Sequence, residues 1–159
     1  VLVSSRNHNI DWGGFMIKEE LNELYWLNRE IADLQRRLEE LESNTPVGSS
    51  NLSGLPPSST KSNPIELYVE KVESLRKRIA ENMALAIQEK QKIEDFISTV
   101  ADPEMRMIIR LRNIDLMGWF EIAEAMSDDK KHYDRTTVSK KYRKFLKSLK
   151  QKIEEKNII

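Results

Sequence analysis

At 159 residues the chain has room for one small domain or two very small ones joined by a linker, and 39% apolar against 33% charged residues with five glycines suits long exposed helices. The absence of cysteine excludes disulfides and thiolate metal sites. No apolar run approaches the ~18–20 residues of a membrane span and the N-terminus lacks a secretory apolar core, so a soluble cytoplasmic protein is expected. The 26 basic and 26 acidic residues cancel overall but not locally: between Lys130 and Lys152 ten Lys or Arg accompany one acid, Asp134, leaving that stretch near +9 and the remainder near −9.

Val1 to Phe15 has neither helical nor alternating periodicity, and regular structure is expected to begin at Met16. Trp12-Gly13-Gly14 requires TGG and GGN codons, which makes the gene G-rich just ahead of the Met16 codon, as a bacterial ribosome-binding site is. Residues 1–15 therefore read either as a leader outside the native product, with translation starting at Met16, or as a disordered N-terminal tail. From 17 to 43, Leu24, Leu27, Ile31, Leu34, Leu38 and Leu41 recur at alternating spacings of three and four, a heptad stripe on a helix roughly 40 Å long. Such a stripe is too narrow to be buried alone.

Residues 43–64 (SNTPVGSSNLSGLPPSSTKSNP) read as a flexible linker. The partner helix is expected over 65–100, where Ile65, Val72, Ile79, Ala86, Ile93 and Val100 fall on every seventh position. Tyr68, Leu75 and Phe96 fill the other seam positions together with Asn82 and Glu89, which weaken the seam or fix its register. Residues 16–100 are thus expected to fold as a long antiparallel, coiled-coil-like helical hairpin. An intermolecular coiled coil would bury the same stripes. Leftover Leu21, Tyr25, Met83 and Ile87 widen the faces and favour a hairpin that also forms a homodimer.

Asp102-Pro103-Glu104 is a helix-start signal, an N-cap followed by Pro at the first helical position and an acid in the first turn. A helix over 103–114 should bury Met105, Ile108, Ile109, Leu111 and Ile114. After Gly118 a short helix, Trp119 to Met126, turns Trp119, Ile122, Ala123 and Met126 inward. A polar loop from Ser127 to Tyr133 precedes Asp134, which caps a last helix with a buried line of Val138, Tyr142, Phe145 and Leu149. Trp119, Tyr142 and Phe145 are expected to be core residues.

Short helix, turn and longer basic helix are the parts of a helix-turn-helix, here over 101–152 with 153–159 as a tail. A recognition helix of about 135–149 would enter the major groove and leave Arg135, Thr136, Thr137, Ser139, Lys140, Lys141, Arg143 and Lys144 outward. Arg and Lys bond guanine edges or phosphate, and Thr and Ser bond base edges or backbone. Lys130, Lys131 and His132 in the loop are placed to meet phosphate. His132 has no accompanying ligand cluster, so neither a metal nor a catalytic role is expected of it.

At these residues the chain resembles a known group. Met105-Arg106-Met107-Ile108-Ile109-Arg110-Leu111-Arg112, Trp119-Phe120-Glu121-Ile122-Ala123-Glu124-Ala125-Met126 and Thr137-Val138-Ser139-Lys140-Lys141 are similar to region 4 of the sigma-70 family, whose pattern runs L-x-x-R-Y, then G-L-T-W-E-E-I-A-E-x-L, then S-x-S-T-V. With the heptad segments and the linker motif Asn51-Leu52-Ser53-Gly54-Leu55-Pro56, the chain from Met16 to about Lys152 resembles small sigma-region-4-like proteins of Gram-positive phages and prophages. The resemblance implies an all-α fold, double-stranded DNA as partner, contact with RNA polymerase, a role in late-gene transcription and no cofactor. Two departures stand out: Gly118 replaces a capping Thr, and Ile122 to Val138 spans 16 positions where the pattern has about 11, enlarging the turn.

An enzyme is not expected, because the chain has no phosphate-cradling Gly loop and no serine elbow, and its carboxylates lie on helix faces. Two other functions fit the same parts. One is a small-terminase-like DNA-packaging protein; the other is a coiled-coil interaction protein whose basic helix docks on an acidic partner.

Overall fold

The computed structural model describes residues 18–44 and 64–156. The expected leader at 1–15 and most of the linker, 45–63, lie outside them. The regular structure of the described residues is all helix, with no strand: α1 (Lys18–Ser43), α2 (Pro64–Thr99), α3 (Pro103–Ile109) running into a π turn (Arg110–Ile114), α4 (Trp119–Met126) and α5 (Arg135–Lys156). None of these helices is long and apolar enough to cross a membrane.

The heptad positions govern burial in α1 and α2. Leu24, Leu27, Ile31 and Leu34 are buried, and Leu38 and Leu41 are half-buried toward the end of α1. Along α2 and at Val100 just past its end, the residues at heptad spacing from Tyr68 onward are all buried or half-buried, Asn82 and Glu89 included, whereas Ile65 in the first turn is exposed. The described residues divide into two compact units, to each of which α1 and α2 contribute a segment.

The first unit comprises 26–44 and 64–88. Its buried apolar residues are Leu27, Ile31, Leu34 and Val72. Arg76 pairs with Glu42 at 2.8 Å and Arg78 with Glu30 at 3.5 Å between the two helices, and Asp33 pairs with Arg36 and Arg37 within α1. The Arg36 guanidinium, then Arg37, holds the Asp33 carboxyl below its ordinary range. All these ion pairs are solvent-exposed and contribute little to stability. Val69, Met83, Leu85 and Ile87 remain exposed on α2.

The second unit comprises 18–25 and 89–156 and has the denser core. Leu21, Ile93, Ile97, Ile108, Ile109, Ile122 and Val138 are fully buried, each worth roughly 1.5–3 kcal/mol of burial. Asp102 caps α3 by accepting from the Glu104 N–H at 3.0 Å, with Pro103 opening the helix. Arg106 donates to the carbonyls of Val100 and Ala101 at 2.7 and 2.9 Å, which closes the corner between α2 and α3. Phe96 and Phe145 meet at 6.4 Å between ring centroids.

Two features differ from the periodicity-based expectation. The helix expected over 103–114 is α-helical only to Ile109 and then widens into a π turn, in which the Asp115 N–H donates to the Arg110 carbonyl. The inserted residue shifts the phase and carries Asn113 into the core at 3% exposure, leaving Leu111 and Ile114 half-buried. Asn113 donates to the Leu21 carbonyl at 3.0 Å and accepts from the Tyr142 hydroxyl at 2.9 Å, so both ends of its amide are used. The second difference is that α5 runs on to Lys156, past the start of the expected tail at 153: Ile153 extends the line of Val138, Tyr142, Phe145 and Leu149, in which Phe145, expected in the core, is half-buried like Ile153.

Candidate nucleic-acid interface

The cationic surface is built by α4, the loop after it and α5. At its start the chain reverses through Leu116, whose φ of 58° is left-handed, and reaches Gly118. The Gly118 N–H donates to Glu121 Oε2 at 2.6 Å, and a Cβ at 118 would stand 3.3 Å from that same oxygen. Glu121 thereby supplies one half of a capping box, and the half that a Thr hydroxyl at 118 would add is missing. Ile122 and Ala123 of α4 are buried where α4 packs on α5, and Trp119 is half-buried rather than enclosed, 5.2 Å from the Tyr142 ring with the Arg112 guanidinium 4.6 Å over its own ring.

The enlarged turn is internally hydrogen-bonded. Asp128 accepts from the N–H groups of Lys130 and Lys131 at 2.8 and 2.7 Å, which hold its carboxyl below the ordinary range. Ser127 donates to the Ala123 carbonyl at 2.7 Å and accepts from the Tyr133 N–H at 2.9 Å. Asp134 then caps α5: it accepts from the Thr137 hydroxyl at 2.5 Å and from the N–H groups of Thr136 and Thr137 at 2.8 and 3.0 Å. The Thr137 hydroxyl and its N–H hold the Asp134 carboxyl low. Two of the donors that a helix N-terminus offers to phosphate are therefore already engaged by a side chain.

The residues expected outward on α5 separate into three groups. Thr136, Lys140, Arg143 and Lys144 are exposed and share one face, opposite Val138, Tyr142 and Leu149, and Lys147 continues the same row. Arg135 is exposed at the first helical position and lines the clefts between α4 and α5 with Phe120. Thr137 and Lys141 are exposed but committed: Thr137 to Asp134, and Lys141 to Glu104 of α3 at 2.5 Å.

Ser139 departs from expectation. It is 4% exposed, donates to the Thr136 carbonyl at 3.1 Å and accepts from Arg143 at 3.1 Å, because α4 covers the arc of α5 next to Val138. In the loop, Lys131 pairs with Glu104 at 3.5 Å and lies 4.5 Å over the Tyr133 ring, while Lys130 and His132 are exposed. Glu104 thus takes two lysines, and Lys141, ahead of burial and Lys131, holds its carboxyl below the ordinary glutamate range.

Sequence reasoning missed three participants. Lys147 follows from the row's own spacing. Phe120, 63% exposed beside Arg135, is signalled by an aromatic on the outer side of an amphipathic helix. Glu104 carries no sequence signal for its pairing, because its partners lie 27 and 37 residues downstream. No family model, no curated protein and no solved structure matches the chain, so the case for its function rests on this surface.

Proposed function

We propose that α4, the loop and α5 act as a helix-turn-helix that binds double-stranded DNA with α5 in the major groove, within a transcription regulator of the sigma-region-4-like kind found in phages and prophages. The observation that carries this reading is the row Thr136, Lys140, Arg143, Lys144 and Lys147, exposed and opposite the buried line of the same helix. Four cations on one face, none of them in an ion pair among the described residues, form an electrostatic footprint for a polyanion. Arg135 beside Phe120 supplies a base-edge or phosphate contact at the leading end. Lys141 and Thr137 hold α5 in place rather than read DNA, and Ser139 has no part in the contact.

In this reading α1 and α2 form an antiparallel hairpin that brings two copies of the cytoplasmic protein together, and RNA polymerase is the second partner of the bound form. Selection of bound sequences from a random duplex pool tests the assignment. A sequence preference that Arg135→Ala or Lys140→Ala weakens supports it, at roughly 1–3 kcal/mol for each base edge no longer bonded. Retention of the whole pool without preference, or wild-type binding by both variants, removes α5 as the reading helix.

A further inference from the structure

A cavity of about 500 Å³ lies between the first turn of α1, the π turn, α4 and the middle of α5. Its walls carry three cations, Lys18, Arg112 and Arg143, together with the Asn22 amide and the rings of Trp119 and Tyr142, and no carboxylate. None of the three cations forms an ion pair among the described residues. Three like charges around one concavity repel one another until an anion enters. In a chain with as many acids as bases, a cleft walled only by the basic kind selects for negative charge.

Arg112 is fixed before any ligand arrives. One of its guanidinium nitrogens donates to the Met117 carbonyl at 2.7 Å, and its plane lies over the Trp119 ring. Trp119 in turn packs on Tyr142, whose hydroxyl is held by the buried Asn113. The π turn supplies both Asn113 and Arg112, which places this site on the one segment of irregular helix among the described residues. A guanidinium has five N–H donors, so one bond to a carbonyl leaves a fork for a phosphate, and its immobility lowers the ordering cost of binding. The volume exceeds what a bare phosphate fills and falls in the range of small-ligand sites.

We propose that this cleft binds the phosphate of a small free phosphate monoester of mononucleotide size. Arg143 belongs both to the cleft and to the row of α5 assigned to DNA, so ligand and DNA compete for it. The competition rests on the DNA-binding reading; the anion site does not.

Calorimetric titration of the full chain with AMP and with inorganic pyrophosphate, at low ionic strength and without DNA, tests the site. One-to-one binding is expected, weakened about tenfold by Lys18→Ala and by Arg143→Gln. Arg112→Lys, which keeps the charge but loses the fork, is expected to weaken it as well. Lys77→Ala, an equal loss of charge in the other unit, should leave it unchanged. No heat from either probe at millimolar concentration, or equal weakening by Lys77→Ala, overturns the proposal. If Lys18→Ala weakens DNA binding while neither probe binds, the cleft grips the DNA backbone and the free-ligand assignment fails. If the probes bind and DNA does not, the site stands and the DNA reading falls.

Discussion

The two units each bury part of an asparagine, and they treat it differently. Asn113 in the C-terminal unit gives its amide N–H to the Leu21 carbonyl and takes the Tyr142 hydroxyl, inside a core of seven fully buried aliphatic side chains. Asn82, in the α2 seam of the helix pair, buries its Nδ2 with no hydrogen bond among the described residues, beside a core of only four buried apolar residues. A buried amide with both ends satisfied ties three segments into one arrangement. One with a free donor subtracts from a thin interface. The comparison places the rigidity of the molecule where α5 is held and leaves the helix pair closer to the limit of what a heptad stripe sustains alone.

Asn113→Ala probes the strong side of that contrast and carries the largest expected effect. It leaves the Leu21 carbonyl and the Tyr142 hydroxyl buried and unpaired, and should cost about 2–4 kcal/mol in urea unfolding. Burial holds the Tyr142 phenol above its ordinary range, as expected of a hydroxyl enclosed in this core. Asn82→Leu probes the weak side with the opposite sign: it removes an unpaired donor and adds apolar surface to the seam, so stability should rise by about 1 kcal/mol. Destabilisation by Asn82→Leu would mean that the seam is not where that side chain lies.

A smaller effect is expected at Glu104, which links α3 to α5 and the loop. Its carboxyl is held below the ordinary glutamate range by Lys141 first, so its contribution to stability is present above that range and is lost as pH falls through the lowered folded value. Thermal melts between about pH 5 and pH 3 should therefore fall more steeply for wild type than for Glu104→Gln. The same variant releases Lys131 and Lys141, so its DNA binding should gain in salt dependence, by about 0.9 in log–log slope for each lysine that reaches a phosphate. An unchanged slope would show that both lysines stay turned away from DNA without the carboxylate.

Much of this architecture is written in local spacing. The alternating three and four of Leu24 to Leu41 sets the buried side of α1, Asp102-Pro103 and Asp134 mark two helix starts, and the line through Val138, Tyr142 and Leu149 orients α5. The misses share a physical cause. The π turn adds one residue to a turn, and apolar periodicity has no mark for an extra residue, so Asn113 is not among the residues expected inward. Ser139 lies at the border of the α5 arc, and its burial depends on where α4 crosses. Lys141 reads as a free cation until α3 brings Glu104 to it. Periodicity reports which way a helix faces; it does not report which neighbour stands there.

In the proposed function the exposed row of α5 lies against a duplex. Fluorescence anisotropy of a labelled duplex, titrated across a salt series from about 50 to 200 mM, tests it most directly. Binding whose logarithm falls linearly with that of salt is expected, with a Lys140→Ala, Lys144→Ala double variant whose slope is shallower by about 0.9 for each phosphate no longer neutralised and Lys77→Ala unchanged. Absence of binding to any duplex at the low-salt end, or one common slope for all three proteins, would contradict it.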